Sequence, residues 1–272
     1  MSTKGSSFKD ALQNVFATSA ILIAFIVAYI LYVKIMGNPV NFEGSNPKGQ
    51  PLDGNLLGII YKGGYIVPVL MTCVLVLIIF IFERVITLSR AKGKGRLNTF
   101  VRDLQVLLAE DKIEDAMDAC DNQKGSLANV MKSGLRRYRD LQKDKELEKD
   151  QKILSIQKSF EEATALELPM LSKNMVIFST LASISVLIGL IGTVLGMIRA
   201  FAALAQAGAP DALALATGIS EALVNTAFGI TGSTLAIIAF NYFSSTIDDY
   251  TFKIDEAGFS LTQNFAASLK TN

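Results

Sequence analysis

The sequence predicts an all-α membrane protein with four transmembrane helices and a helical cytoplasmic region. Half of the 272 residues are hydrophobic and Trp is absent, which lies outside the average of soluble domains. Two long apolar segments, Asn174–Ile198 and Ala212–Ile247, contain only one charged residue, Glu221. Each segment exceeds the roughly 20 apolar residues that cross a bilayer. These segments predict the third and fourth spans.

Two shorter apolar segments come earlier in the chain, at Val15–Val33 and Ile66–Phe82. The first has two interpretations, because Lys4 and Lys9 resemble the basic start of a secretory signal peptide. Its apolar run is longer than the 7–15 residues typical of a signal, and no small-residue cleavage site follows it. A retained membrane anchor is therefore favoured over a cleaved signal, which brings the number of predicted spans to four.

The distribution of basic residues predicts the orientation, since Lys and Arg collect on the cytoplasmic side of membrane proteins. Five of them follow the second span: Arg84, Arg90, Lys92, Lys94 and Arg96. The predicted organisation is an N-terminal transmembrane anchor (1–36), a periplasmic loop (37–65), a transmembrane helix (66–88), a cytoplasmic helical region (89–172), a transmembrane hairpin (173–247) and a cytoplasmic C-terminal tail (248–272).

Apolar residues recur at helical spacing in the region 89–172, which predicts a bundle of amphipathic helices. The four stripes are Phe100, Leu104, Leu107 and Leu108; Ile113, Ala116, Met117 and Cys120; Leu127, Val130, Met131, Leu135 and Tyr138; and Ile153, Ile156, Phe160, Ala163 and Leu166. Pro169 is expected to kink or restart the last helix without necessarily ending it. In the loop 37–65, rich in turn-forming residues, one short helix is expected at Leu56–Ile60.

Composition excludes several classes of function. The chain has no His, the usual acid–base group at neutral pH and the commonest metal ligand. Cys73 lies in an apolar run and Cys120 in a charged stretch, so a disulfide framework is not expected. The net charge of +1 does not favour binding of nucleic acid. The region 89–172 shows no phosphate-binding glycine loop and no nucleophile–base pair. We therefore expect no enzyme activity, no cofactor and no metal site.

Small and polar residues share faces on the third and fourth spans. Helical spacing places these residues on or beside those faces: Gly189, Gly192, Thr193 and Gly196 on the third span, and Gly218, Glu221, Asn225, Thr226 and Gly229 on the fourth. Glycine faces in membranes usually allow two helices to pack closely. We expect Gly189, Gly192, Gly196, Gly218, Asn225 and Gly229 to serve helix packing.

The polar residues of these faces have structural and functional interpretations. Thr193 and Thr226 are expected either to bond the carbonyl four residues earlier or to border a polar path. Asn225 could link helices through a hydrogen bond. For Glu221 a functional role is favoured, because a carboxylate inside a membrane is costly unless it faces a partner or water. The main competing interpretation for Glu221 is an ion pair with Arg199 of a neighbouring helix.

Two strings in these spans resemble the signatures of the MotA/TolQ/ExbB proton channel family. They are Ile188–Met197 and Gly218–Gly229, and the order of a basic-ended span, a helical region and two hairpinned spans also matches. Within the family, Gly218–Leu223 and Asn241–Phe243 are most similar to the ExbB branch.

Two features depart from the ExbB branch. Val186 and Leu235 stand where ExbB and TolQ usually carry Pro, and the N-terminal span is additional, since four spans are the count of flagellar stators. A TolQ-like or stator-like motor subunit therefore stays as an alternative. A non-conducting membrane scaffold is the competing hypothesis from another class. An intramembrane enzyme would lack a catalytic pair.

The resemblance implies a motor subunit driven by the proton motive force in the bacterial inner membrane. Such subunits form a ring, commonly a homopentamer, whose last two spans line a pore. The implied partners are ExbD-like single-span proteins carrying an intramembrane Asp, and a TonB-like protein that powers outer-membrane transport. Thr193 and Thr226 correspond to the threonines that flank the proton path. Glu221 corresponds to the acidic residue of the second signature.

Overall fold

The computed structural model describes residues 18–47, 49–142, 147–205 and 211–268, and these are predominantly helical. Four helical segments are long and apolar enough to cross a membrane by their length and composition: Thr18–Met36, Ile66–Ala109, Lys149–Leu204 and Ala212–Ala267. The predicted all-α class with four candidate spans is therefore confirmed.

The helices are, in chain order, α1 (Thr18–Met36), α2 (Leu56–Tyr61), α3 (Ile66–Lys92), α4 (Leu97–Ala109), α5 (Ile113–Gln123), α6 (Gly125–Gln142), α7 (Lys149–Ser172), α8 (Met175–Leu204) and α9 (Ala212–Ser268). Helix α2 confirms the short helix predicted in the loop. It begins after Asn55, whose side chain accepts a hydrogen bond of 3.1 Å from the backbone N–H of Gly58.

The described residues form two compact units. The first contains the described residues within 18–81 and 176–240, and the second contains those within 82–175 and 241–268. Helices α3 and α9 therefore contribute residues to both units.

In the first unit, α1 packs through a stripe of alanines. Ala20, Ala24 and Ala28 are buried at four-residue intervals, whereas most of the large apolar side chains of α1 are exposed. Ala28 lies in a cluster with Val67 and Met71 of α3. Small side chains at this spacing let two helices approach closely, and the exposed apolar side chains suit contact with lipid.

The end of α1 is fastened by side chains of the loop that follows. The last six residues of α1, Leu31–Met36, form a π-helix. The side-chain amide of Asn41 donates to the carbonyl oxygens of Ile35 and Met36, at 2.8 and 3.0 Å. Tyr32 stacks on Tyr61 with 4.7 Å between the ring centroids. Asn41 thus satisfies carbonyl groups that a helix end leaves without partners, and α1 is tied to α2.

The second unit is a helical bundle whose core contains the predicted apolar stripes. In the first three stripes every residue is buried except Leu107, which is partly buried. In the fourth stripe Ile156 and Phe160 are buried, but the prediction for Leu166 is wrong, since 77% of this residue is exposed. Leu166 follows Phe160 by six residues, which places it about 240° further around the helix, away from the core.

The second unit also includes the C-terminal stretch that the sequence identified only as a tail. Helix α9 continues to Ser268, and Ile254, Ala257, Leu261 and Phe265 are buried in the core of the bundle. The ring of Phe265 packs edge-on against Tyr138 of α6 at a centroid distance of 4.5 Å. Full burial of a Leu or Phe side chain contributes about 1.5–3 kcal/mol, so this stretch stabilises the bundle.

The junction between α7 and α8 lies beyond the proline. As expected, Pro169 does not end α7, which continues to Ser172. The helix breaks at Lys173 and Asn174, where Asn174 adopts a left-handed backbone conformation with φ of 64°. The fully buried Arg84 of α3 donates to the Leu171 carbonyl oxygen at 3.0 Å and pairs with Glu83 at 2.7 Å. Arg84 therefore holds the last turn of α7.

The thiol of Cys120 should be unreactive in the folded protein. Burial, with a smaller contribution from Asp121, raises the pKa of Cys120 from 9.0 to about 12. Because only the thiolate is alkylated, the reaction at pH 8 should be about a thousandfold slower than for an ordinary thiol. In a Cys73→Ser background, mass spectrometry after iodoacetamide treatment should show an unmodified Cys120, and rapid modification in denaturant. Rapid modification without denaturant would contradict the buried position.

Candidate functional site

Helices α8 and α9 are in direct backbone contact along their glycine faces. A Cβ atom added to Gly229 would lie 2.7 Å from the Ser185 carbonyl oxygen and 2.9 Å from the Gly189 Cα. A Cβ on Gly218 would lie 2.8 Å from the Gly196 carbonyl oxygen. Real Cβ contacts are longer, so only glycine permits this approach. The contact brings the polar residues of both helices together.

Thr193 and Thr226 meet across this contact, with 2.8 Å between their hydroxyl oxygens. Each hydroxyl also lies within hydrogen-bond distance of the carbonyl four residues earlier, Gly189 at 3.0 Å and Ala222 at 3.1 Å. The bond to the carbonyl four residues earlier is thus available to both threonines, and their place beside a polar path stays a prediction.

The threonine pair has fewer hydroxyl hydrogens than possible hydrogen bonds. Two hydroxyl groups supply two donors, but three bonds are geometrically available to them. The hydroxyl hydrogens can therefore change places by rotation while the oxygen atoms stay fixed. Both Thr193 and Thr226 are only half-buried, so their remaining lone pairs can accept a hydrogen bond from a donor outside the pair. This arrangement suits the transfer of a proton.

Glu221 forms an ion pair with Arg199 of α8 in the same chain. This is the ion pair that the sequence offered as the main competing interpretation for Glu221, and the neighbouring helix is the other helix of the hairpin. The Arg199 guanidinium also stacks over the ring of Tyr65, with 4.9 Å between its central carbon and the ring centroid. Three segments of the first unit thus converge on one buried carboxylate.

Asn225 connects α9 to the turn before α3. Its side-chain amide donates to the Gly63 carbonyl oxygen at 2.9 Å, and Asn225 is fully buried. A Cβ on Gly192 would lie 2.8 Å from the same amide nitrogen, so this glycine makes room for the side chain. Asn225 therefore joins a helix to a turn rather than two spanning helices.

The turn Gly63–Tyr65 is the part of the site that sequence reasoning missed. Gly64 has a φ of 75° and lies against the Glu221 carboxylate, where a side chain would collide with it. The pair Gly63-Gly64 between two apolar helices is a turn signal, but it does not indicate what the turn contacts. In the described part of the chain, no three His, Cys, Asp or Glu residues lie close enough together to hold a metal ion.

Comparison with known proteins places the threonine pair inside a matched region. Residues 122–256 match the model of the MotA/TolQ/ExbB proton channel family. This part of the chain belongs to that family. The resemblance found in the sequence is therefore confirmed, and the family is one of membrane proton channels rather than of enzymes.

Individual relatives carry ExbB and TolQ names. The chain is 38% identical over 89 residues to an ExbB-like biopolymer transport protein of Synechocystis, which covers 32% of this chain and 42% of that protein. It is 38% identical over 94 residues to TolQ of Haemophilus influenzae, covering 33% and 41%. For ExbB of Salmonella typhimurium the identity is 36% over 72 residues, covering 26% and 30%. The chain thus matches less than half the length of each of these relatives.

Proposed function

We propose that the protein is an ExbB-like proton-channel subunit of an energy-transducing complex in the bacterial inner membrane. The complex would use the proton motive force to power TonB-dependent transport across the outer membrane. The observation that carries this proposal is the Thr193–Thr226 hydroxyl pair, half-buried between two helices of the matched region. A packing role alone does not require two hydroxyls that face each other across a glycine contact.

The proposed complex is a homo-oligomeric ring, a pentamer by resemblance, around ExbD-like single-span partners. Thr193 supports this arrangement, because it also lines an open apolar groove with Val194, Met197 and Phe201 of α8. A single apolar helix of a partner suits such a groove, and an Asp on that helix would exchange its proton near the hydroxyl pair. The region 89–172 and the tail 248–272 would lie in the cytoplasm, and the loop 37–65 in the periplasm.

A TolQ-like function is the second candidate, because TolQ proteins are among the relatives of similar identity. The two candidates share the proton path and differ in the partner that receives the energy. Deletion of the gene separates them, since loss of TonB-dependent uptake across the outer membrane indicates the ExbB-like role. Unchanged uptake instead indicates the TolQ-like role.

Replacing either threonine of the pair with valine should abolish energy transduction and leave the ring intact. Valine keeps the shape of threonine but removes the hydroxyl that passes the proton. We expect Thr193→Val and Thr226→Val to lower energised uptake at least about a hundredfold, because one positioned proton-transfer group typically contributes about 10²–10⁴-fold. Native mass spectrometry should show the same oligomer as for the unaltered protein.

Thr231→Val is the matched control for this experiment. Thr231 also lies on α9, and its hydroxyl donates to the Ala227 carbonyl oxygen four residues earlier, at 2.7 Å. It is exposed, however, and is not part of the pair. Its replacement should leave uptake near normal. Normal uptake in all three variants, with the oligomer intact, would favour the non-conducting scaffold.

A further inference from the structure

The short helix α2 is tied to the end of α1 at both of its own ends. At its start, the Asn55 side chain accepts from the Gly58 N–H and donates to the Asn41 side-chain oxygen, both at 3.1 Å. Asn41 in turn bonds the last carbonyl groups of α1. At its other end, the Tyr32 hydroxyl donates to the Tyr61 carbonyl oxygen at 2.9 Å. Helix α2 therefore depends on α1, because a helix of six residues has little stability of its own.

The side chain of Tyr61 is enclosed by α1 and the loop that follows it. Its ring stacks on the ring of Tyr32 and meets the ring of Phe42 edge-on, at a centroid distance of 5.5 Å. A Cβ atom added to Gly37 would lie 2.6 Å from Tyr61 Cε2, so the backbone after α1 also touches this ring. Because these contacts come from one connected segment, the position of Tyr61 follows that of the end of α1.

The turn Gly63–Tyr65 begins beside the carbonyl group that α1 holds. The Tyr61 carbonyl oxygen accepts from the Tyr32 hydroxyl and also from the backbone N–H of Gly64, at 3.2 Å. One oxygen atom thus connects a side chain of α1 directly to the backbone of the turn. Loss of the Tyr32 hydroxyl would remove this connection without changing the sequence of the turn.

The same turn holds two polar residues of the candidate site. Tyr65 stacks on the Arg199 guanidinium. The Gly63 carbonyl oxygen accepts from Asn225, the residue before Thr226. Asn225 is fully buried, so an amide that lost this bond would be left without a partner, which is costly. A turn held in place therefore keeps both residues in place.

We infer that the end of α1 positions the candidate site through α2, with Tyr32 and Asn41 as positioning residues. Both helices lie outside residues 122–256, so the family match assigns them no role. The inference rests on the proposed function for what the site does, and on the contacts of α1 for how the site is held. Loss of either side chain loosens the turn and leaves the hydroxyls of the threonine pair chemically unchanged.

Hydrogen exchange of the protein in lipid nanodiscs, measured by mass spectrometry, tests this inference directly. In Tyr32→Phe the ring stays and only the hydroxyl is lost. The peptide that spans residues 62–67 should then exchange about fivefold faster, since one hydrogen bond shifts a local opening equilibrium by about that factor. Tyr32→Leu also removes the ring stack and should raise the rate further, to at least about tenfold. If Tyr32 only filled space, Tyr32→Phe would leave the rate unchanged.

Tyr29→Phe is the matched control, because Tyr29 lies on the same helix three residues earlier and is exposed. Its turn peptide should exchange as in the unaltered protein. The peptide Leu127–Tyr138, in the core of the second unit, should exchange at the same rate in every variant. An unchanged turn in both Tyr32 variants, or an equal rise in the second unit, would overturn the inference. The measurement needs neither partner nor proton flux, so the inference can fail while the proposed function stands.

Discussion

Replacing Gly229 with alanine is expected to separate α8 from α9 and to destabilise the protein strongly. The added Cβ would lie 2.7 Å from the Ser185 carbonyl oxygen, an atom of the backbone that no side-chain rotation can move away. Overpacking of this kind costs about 1–3 kcal/mol, and occasionally more. Thermal unfolding in lipid nanodiscs, followed by circular dichroism, should show a clearly lower midpoint for Gly229→Ala than for the unaltered protein.

Gly232→Ala provides the matched control on the same helix. Its Cβ would meet only side chains, with the Ser185 Oγ at 3.3 Å and the Val74 Cγ2 at 3.5 Å, so small adjustments accommodate it. Its unfolding midpoint should stay close to that of the unaltered protein. Equal midpoints for the two variants would show that the α8–α9 contact is looser than the structure has it.

Arg84→Gln should also destabilise the protein, by removing a fully buried charge from its partners. The change leaves the carboxylate of Glu83 without its guanidinium and the Leu171 carbonyl oxygen without a donor. Breaking a buried ion pair at one partner costs about 3–5 kcal/mol, and the lower end applies because 22% of the Glu83 side chain is exposed. The midpoint of chemical unfolding should fall accordingly.

Arg90→Gln is the corresponding control, since Arg90 lies on the same helix but is exposed. Its replacement should change the stability by less than about 0.5 kcal/mol, as for most surface substitutions. If Arg84→Gln and Arg90→Gln unfold at the same denaturant concentration, Arg84 does not hold the α7–α8 junction.

The fold was predictable from the sequence wherever the apolar residues of a segment repeat on one face of a helix. The stripe Leu127–Tyr138 is buried because its spacing matches the helical period, and this period is visible within a dozen residues. Leu166 shows the limit of the method, since the residue is apolar but lies off the buried face. Ile254 and Phe265 also lie at a helical spacing and are buried, although this stretch was predicted only as a cytoplasmic tail.

The residues of the candidate site and the Glu221–Arg199 pair were predictable from the sequence, but the other connections were not. Thr193, Glu221 and Thr226 stand out because polar groups are costly in an apolar span. The bond between Asn225 and Gly63 joins residues 162 positions apart, and no local pattern carries that information. The same holds for Tyr65, whose contact with Arg199 depends on how the turn before α3 folds back.

The central claim is that protons cross the membrane beside the Thr193–Thr226 pair. It is tested most directly by proton flux into liposomes that contain the purified protein in complex with the proposed single-span partner and a pH-sensitive dye inside. With an inward proton gradient, we predict rapid acidification for the unaltered protein and for Thr231→Val, and traces close to those of empty liposomes for Thr226→Val. Acidification at the same rate in Thr226→Val, or none in the unaltered complex, would contradict the account.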